Sequence, residues 1–104
     1  MIEFLEKVFA GEDVGEPSSE DRKAAEVLVA SIGGAANIKR VWNCFTRLRF
    51  VVKDLSLVNE EMLRSVPSSG VIQYNKMVQV VYGMKVKLMR KVVEEYLASL
   101  PGDV

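Results

Sequence analysis

The sequence predicts an α+β domain in which a four-stranded, mainly antiparallel sheet carries three helices on one face. Segments with helical apolar spacing alternate with short β-rich segments, in the order α-β-β-α-β-β-α. The β segments come in pairs joined by short turns, which favours antiparallel hairpins. Nearly half of the 104 residues are apolar, which is enough for one small core.

The chain is predicted to begin with an extension outside this domain. A short amphipathic stretch comprises Ile2, Phe4, Leu5, Val8 and Phe9. It is too short to be a stable helix alone, and the Gly- and Glu-rich residues 11–18 indicate a linker. We therefore expect residues 1–18 to be an N-terminal extension or linker, residues 19–100 the folded domain, and residues 101–104 a C-terminal tail.

The first helix and the first two strands follow from capping and alternation. Ser18 with Asp21 is a capping-box signal, so a helix is expected over 19–32, ended by two glycines. Strands are expected over 39–43 and 47–53. In the second strand Leu48, Phe50 and Val52 alternate with basic residues, which places one face on the core and the other in water.

The remaining elements are a short helix, a hairpin and a long helix. Asn59 is a predicted N-cap, and the helix that follows it is ended by Pro67. Strands over 70–74 and 77–82 are expected to pair around Asn75-Lys76, and the last helix is expected over 85–99.

Charge is distributed unevenly although the formal net charge is zero. Residues 1–26 hold eight acidic and three basic residues, whereas residues 27–104 hold six acidic and eleven basic ones. A basic body attracts anions such as phosphate, an acidic protein face or nucleic acid. No cluster of aromatic residues is interleaved with this charge, which argues against binding of nucleic acid.

Other features of the sequence indicate a cytoplasmic protein. The single cysteine cannot form an internal disulfide, and the first residues lack the pattern of a signal peptide. No apolar run approaches the roughly 18 residues that span a bilayer, so no direct membrane insertion is expected.

The segment Cys44-Phe45-Thr46-Arg47-Leu48-Arg49 is the strongest functional signal, because it places a thiol beside two guanidinium groups and a hydroxyl. Arginine lowers the pKa of a neighbouring thiol, and its planar fork matches the oxygens of a phosphoryl group. The thiol falls in the turn between two strands, where backbone N–H groups can converge on an anion. We expect both arginines to project into solvent from one strand face.

This segment lies among other motifs that together resemble a known family. Gly33-Gly34-Ala35-Ala36-Asn37-Ile38 precedes it, and Gly70-Val71-Ile72 and Val78-Gln79-Val80-Val81-Tyr82-Gly83 follow it. From about Ser19 to Leu100 the chain resembles the enzyme IIB (EIIB) domain of the bacterial phosphoenolpyruvate-dependent sugar phosphotransferase system, glucose and β-glucoside branch.

The resemblance implies a split α/β sandwich that acts as a phosphocarrier in sugar transport. Cys44 would accept phosphate from a phosphohistidine on enzyme IIA (EIIA) and pass it to a sugar held by the membrane enzyme IIC (EIIC). Arg47 and Arg49 would serve transfer, Thr46 positioning, and the turn Phe45, Thr46, Arg47 would cradle the phosphate. The domain would need no metal or cofactor beyond a transient phosphocysteine. It would be a monomer when isolated and would reach the inner face of the cell membrane through EIIC.

One alternative function is compatible with the same residues. A regulatory interaction module could signal the phosphorylation state of transport without transferring phosphate, although the charged surroundings of Cys44 favour active transfer.

Two residues depart from the family pattern. Members of the glucose type often have an acidic residue two positions before this cysteine, where this chain has Trp42, and members of the β-glucoside type often have a histidine immediately before it, where this chain has Asn43. The sequence contains no histidine, so the chain cannot itself form a phosphohistidine.

Overall fold

A computed structural model describes residues 15–101 of the chain. The amphipathic stretch predicted before residue 10 and residues 102–104 of the predicted tail lie outside the described residues. None of the helices within 15–101 is long and apolar enough to cross a bilayer. The helices and strands are α1 (Ser19–Ser31), β1 (Ile38–Asn43), β2 (Arg47–Val52), α2 (Glu60–Arg64), β3 (Gly70–Tyr74), β4 (Met77–Val81) and α3 (Val86–Ser99).

The predicted fold class is confirmed, and all strand pairs are antiparallel. The four strands form one sheet in the order β1-β2-β4-β3. Except at the end of α2, each predicted helix or strand boundary lies within one residue of the observed one. The helix expected to continue up to Pro67 ends at Arg64, because the N–H groups of Ser65 and Val66 bond to carbonyls three residues back, which tightens the last turn. The last helix starts at Val86 rather than at Lys85, because Gly83–Lys85 form a separate 3-10 turn.

Alternation along β2 divides the sheet into a covered face and an open face. Leu48, Phe50 and Val52 are fully buried beneath the helices, whereas Arg47 and Arg49 lie on the opposite face. We call this opposite side the open face, because the core residues of the helices pack against Leu48, Phe50 and Val52 on the covered face. The core on the covered face is completed by Ile32, the C-cap of α1, and by the helix residues Ala25, Leu28, Val29, Leu63, Val86, Met89, Val92 and Val93.

Buried Asn37 ties the end of α1 to the chain that leaves β2. Its Nδ2 donates to the carbonyls of Ile32, at 2.7 Å, and of Asp54, at 3.0 Å. Its Oδ1 accepts from the Asp54 backbone N–H at 2.9 Å. Gly33 has φ of 109° and lies so close to Asn37 that a Cβ would fall 2.7 Å from Nδ2, so glycine is required there. This network holds α1 against the end of the strand that carries both arginines.

We expect Asn37→Ala to lower the free energy of unfolding by about 3 kcal/mol, because it leaves buried backbone groups unpaired at roughly 1–3 kcal/mol each. Asn59→Ala is the matched control: Asn59 caps α2 through a single bond to Met62 N–H, at 3.0 Å. Its loss should cost only about 1 kcal/mol. Urea denaturation of both variants measures the difference. A smaller loss for Asn37→Ala than for Asn59→Ala would contradict the role given to Asn37.

Candidate functional site

The turn between β1 and β2 carries Cys44 and is fixed by backbone hydrogen bonds. Cys44 N–H donates to the Arg47 carbonyl at 3.0 Å, which closes the turn. The Thr46 carbonyl accepts from the N–H groups of Tyr82, at 2.8 Å, and Gly83, at 3.0 Å. Gly83 has φ of 67°, a conformation that favours glycine. The turn is therefore held both by a hydrogen bond between its own ends and by the residues that follow β4.

The Cys44 thiol is half-exposed, and its surroundings stabilise the thiolate. The backbone N–H of Thr46 is the largest influence that lowers the thiol pKa, followed by the N–H of Arg47 and the charges of Arg49 and Arg47. Partial burial opposes this shift. The lowered pKa agrees in direction with the expectation from sequence, but the turn amides contribute more to it than the guanidinium groups do. Such converging N–H groups form a site for an anion.

Arg47 and Arg49 lie on the open face, as alternation predicts, but they do not project freely into solvent. Both are half-buried, and both donate to the Oε1 atom of Gln79 on β4. Arg49 Nε lies 3.2 Å from this oxygen and Arg47 Nη1 lies 3.4 Å from it. The expectation of solvent-directed arginines was therefore wrong, because a polar side chain on the neighbouring strand draws them onto the sheet.

The other predicted residues of the turn are exposed. Phe45 is 95% exposed, and the Thr46 side chain is also open to solvent beside the thiol. Trp42 is half-buried on the open face, with the Arg40 guanidinium 4.2 Å from its ring centroid. This stacking adds a third positive charge to the same face.

A second support for the turn comes from the helical side of the sheet. Asn43 Nδ2 donates to the Cys44 carbonyl at 2.8 Å, and Asn43 Oδ1 accepts from Arg90 Nη1 at 3.0 Å. Arg90 lies on α3 and also pairs with Glu94 at 3.1 Å. The last helix is thus linked through Asn43 to the carbonyl of Cys44.

Gln79, Asn43 and Arg90 were not among the site residues predicted from sequence. Gln79 carried a signal, since it is a polar residue between Val78 and Val80, whose side chains enter the core. Alternation places it on the face of the arginines, although the segment reads at first as a core strand. Arg90 carried no local signal, because it lies 47 positions from Asn43.

Comparison with known proteins identifies the family. The sequence model of the family described as phosphotransferase system, EIIB matches residues 26–59. The N-acetylglucosamine-specific EIIB component of Streptomyces coelicolor is 44% identical over 59 residues, which cover 57% of this chain and 77% of that protein. The chain therefore belongs to the EIIB family of the phosphotransferase system, in its glucose branch.

Longer relatives contain a matching segment within larger proteins. The arbutin-, cellobiose- and salicin-specific EIIBC component of Escherichia coli is 37% identical over 81 residues, or 77% of this chain and 16% of that protein. The maltose-specific EIICB component of Escherichia coli is 40% identical over 87 residues, or 83% of this chain and 16% of that protein. The chain thus spans about one sixth of the length of these two relatives.

A solved structure supports the fold. One domain of the phosphotransferase-system IIabc component from Clostridium difficile superimposes with a TM-score of 0.68, covering 86% of this chain and 99% of that one. The two sequences are 24% identical, so this likeness concerns the fold.

The order of influences on Cys44 predicts how its pKa responds to substitution. Thr46→Ala keeps the backbone N–H and should leave the pKa of the thiol unchanged, whereas Arg49→Met removes a charge and should raise it. The rate of alkylation by iodoacetamide as a function of pH measures both, with an unstructured cysteine peptide as reference. The wild-type pKa should lie below that of the peptide. A raised pKa in Thr46→Ala, or none in Arg49→Met, would contradict this assignment.

Proposed function

We propose that the chain is a phosphocarrier whose Cys44 thiolate accepts a phosphoryl group from a phosphohistidine of EIIA and passes it to a sugar bound by EIIC. The observation that carries this proposal is the position of the thiol in a rigid turn, where two backbone N–H groups and two guanidinium groups stabilise negative charge. A structural cysteine would need none of these neighbours.

In the first step the Cys44 thiolate attacks phosphorus in line with the phosphorus–nitrogen bond of the donor. The sulfur–phosphorus bond forms, the phosphorus–nitrogen bond breaks, and the released imidazole keeps the electron pair and takes a proton from solvent. Arg47 and Arg49 neutralise the equatorial oxygens in the transition state, and the Thr46 and Arg47 N–H groups orient the thiolate and then the bound phosphoryl group.

In the second step a sugar hydroxyl attacks the phosphocysteine. The oxygen–phosphorus bond forms, the sulfur–phosphorus bond breaks, and the thiolate leaves with its electron pair while the hydroxyl proton passes to a base or to water. The influences that lower the pKa of Cys44 also make it a good leaving group. The same geometry therefore serves acceptance and release.

Two exposed apolar side chains, one in the turn and one next to it, support docking of protein partners there. Phe45 is 95% exposed and Met84 is 97% exposed, and Met84 follows Gly83, whose N–H binds the Thr46 carbonyl. Exposed apolar side chains next to charged groups are typical of protein interfaces. Since each partner must reach the same sulfur, we infer that EIIA and EIIC occupy this surface in turn.

The names of the relatives support a division of labour in which EIIC chooses the sugar. They specify arbutin, cellobiose and salicin, N-acetylglucosamine, maltose and α-glucosides. A segment similar to this chain is common to all of them, which fits a domain that handles phosphate. Some relatives carry EIIC and EIIB components in one chain, which supports EIIC as the partner of this one.

Incubation with phosphorylated EIIA should add the mass of one phosphoryl group to Cys44, as intact-mass and peptide mass spectrometry would show. Prior alkylation should abolish the addition, and Cys44→Ser should give no adduct that passes phosphate to sugar. Phosphate on the serine variant at the wild-type rate would refute the carrier role. Absence of transfer to wild type, with retained binding to EIIA, would favour a regulatory module.

Conservative substitution of the arginines should separate transfer from folding. Arg47→Lys and Arg49→Lys keep the charge but lose the fork that grips two phosphate oxygens, so we expect sugar phosphorylation with EIIC to fall on the order of 100-fold. Each should cost only about 1 kcal/mol of stability, since a single bond to Gln79 is weakened.

The matched control is Arg64→Lys, on the exposed surface of α2, where Arg64 pairs with Glu60 at 2.8 Å. It should leave sugar phosphorylation at the wild-type rate. Transfer assays paired with denaturant unfolding decide the matter. Wild-type activity of both lysine variants at the turn, or a loss fully explained by unfolding, would overturn the roles of these arginines.

A further inference from the structure

Gln79 is a buried polar side chain on the open face of the sheet. It is 8% exposed and lies at the middle of β4, between Val78 and Val80, whose side chains enter the core. On this face it is flanked by side chains of the two neighbouring strands. Arg47 and Arg49 from β2 lie on one side of Gln79, and Ile72 from β3 lies on the other.

The register of the sheet explains why one side chain contacts both arginines. Gln79 on β4 lies directly opposite Arg49 on β2. Arg47 lies opposite Val81, two residues along β4 from Gln79, so Arg47 is a diagonal neighbour of Gln79 on the same face. Opposite and diagonal neighbours on one face are within reach of long side chains. The single Oε1 atom of Gln79 accepts from Arg49 Nε, at 3.2 Å, and from Arg47 Nη1, at 3.4 Å.

A neutral acceptor suits this position better than a charged one. Each guanidinium has five N–H donors, and Gln79 occupies only one on each, so the others remain available for a phosphoryl group. Neither Arg47 nor Arg49 forms an ion pair within the part of the chain that the structure describes. A carboxylate here would attract both guanidinium groups strongly and cancel the charge that the phosphoryl group needs.

We propose that Gln79 is a positioning residue that sets the spacing and orientation of the Arg47 and Arg49 guanidinium groups while leaving their charge uncancelled. This inference rests on the proposed phosphocarrier function. Gln79 acts through the arginines: its amide oxygen holds two like charges side by side, so that both forks face the anion beside Cys44 in advance of its arrival.

Two substitutions of similar size separate orientation from charge. Gln79→Met removes the acceptor and keeps the arginine charges, so the alkylation profile of Cys44 against pH should stay at that of wild type. Transfer from phosphorylated EIIA should fall at least about 10-fold, because misplacing a catalytic group by about 1 Å can cost about 100-fold. Gln79→Glu should pair with both arginines, shift the alkylation profile to higher pH and lower transfer on the order of 100-fold.

The matched controls are Gln73→Met and Gln73→Glu, on the edge strand of the same sheet. Gln73 pairs with Val78, so it lies on the opposite face from the arginines. Both control variants should keep the wild-type alkylation profile and rate of transfer. Denaturant unfolding and the N–H spectra of the arginine side chains accompany each assay, and only Gln79 variants should shift the arginine Nε–H resonances.

The outcomes distinguish this inference from the proposed function. Wild-type transfer by folded Gln79→Met, or an unshifted alkylation profile with normal transfer in Gln79→Glu, would overturn the positioning role and leave the phosphocarrier function intact. A wild-type chain that takes no phosphate on Cys44 would overturn both. If either variant is too unstable to assay, unperturbed arginine Nε–H resonances in the other would still refute the role of Gln79.

Discussion

The alternation of buried apolar side chains with partly exposed ones along β2 is the constraint on which the rest of the structure depends. Leu48 and Phe50 are fully buried, while the arginines beside them lie on the open face. A slip of the strand by one residue would move the apolar side chains into water and the guanidinium groups into the core. The hydrophobic core therefore fixes the register, and the register fixes which face of the sheet carries positive charge.

The site is assembled from parts that are distant in sequence. The turn supplies the thiol and the backbone N–H groups, the end of β4 holds the Thr46 carbonyl, and Arg90 on α3 holds Asn43. Because most of these contacts involve the backbone, the turn can keep its shape while its exposed side chains vary. For the proposed phosphocarrier, this arrangement combines a rigid turn that would hold phosphate with the exposed side chains of Phe45 and Met84, which we propose contact partners.

Most of the fold could be predicted from the sequence because the signals are local. The capping box at Ser18, the N-cap at Asn59 and the alternation of β2 each depend on residues within a few positions of one another. The short spacing of Cys44, Arg47 and Arg49 likewise placed them in one cluster, and the family resemblance added their expected roles. The contacts of Arg47 and Arg49 with Gln79 could not be predicted in this way, because they depend on which strand pairs with β2 and in which register. The relative size of the contributions to the Cys44 pKa could not be predicted either, because a sequence shows side-chain charges but not where backbone N–H groups point.

Whether the turn amides hold a phosphoryl group on Cys44 is measured most directly by combined phosphorus and amide NMR spectra of the chain after phosphorylation by EIIA. We expect one phosphorus signal from phosphocysteine, with the largest amide shifts at Thr46 and Arg47. Phosphate on another residue, or unchanged Thr46 and Arg47 amides with phosphate on Cys44, would contradict it.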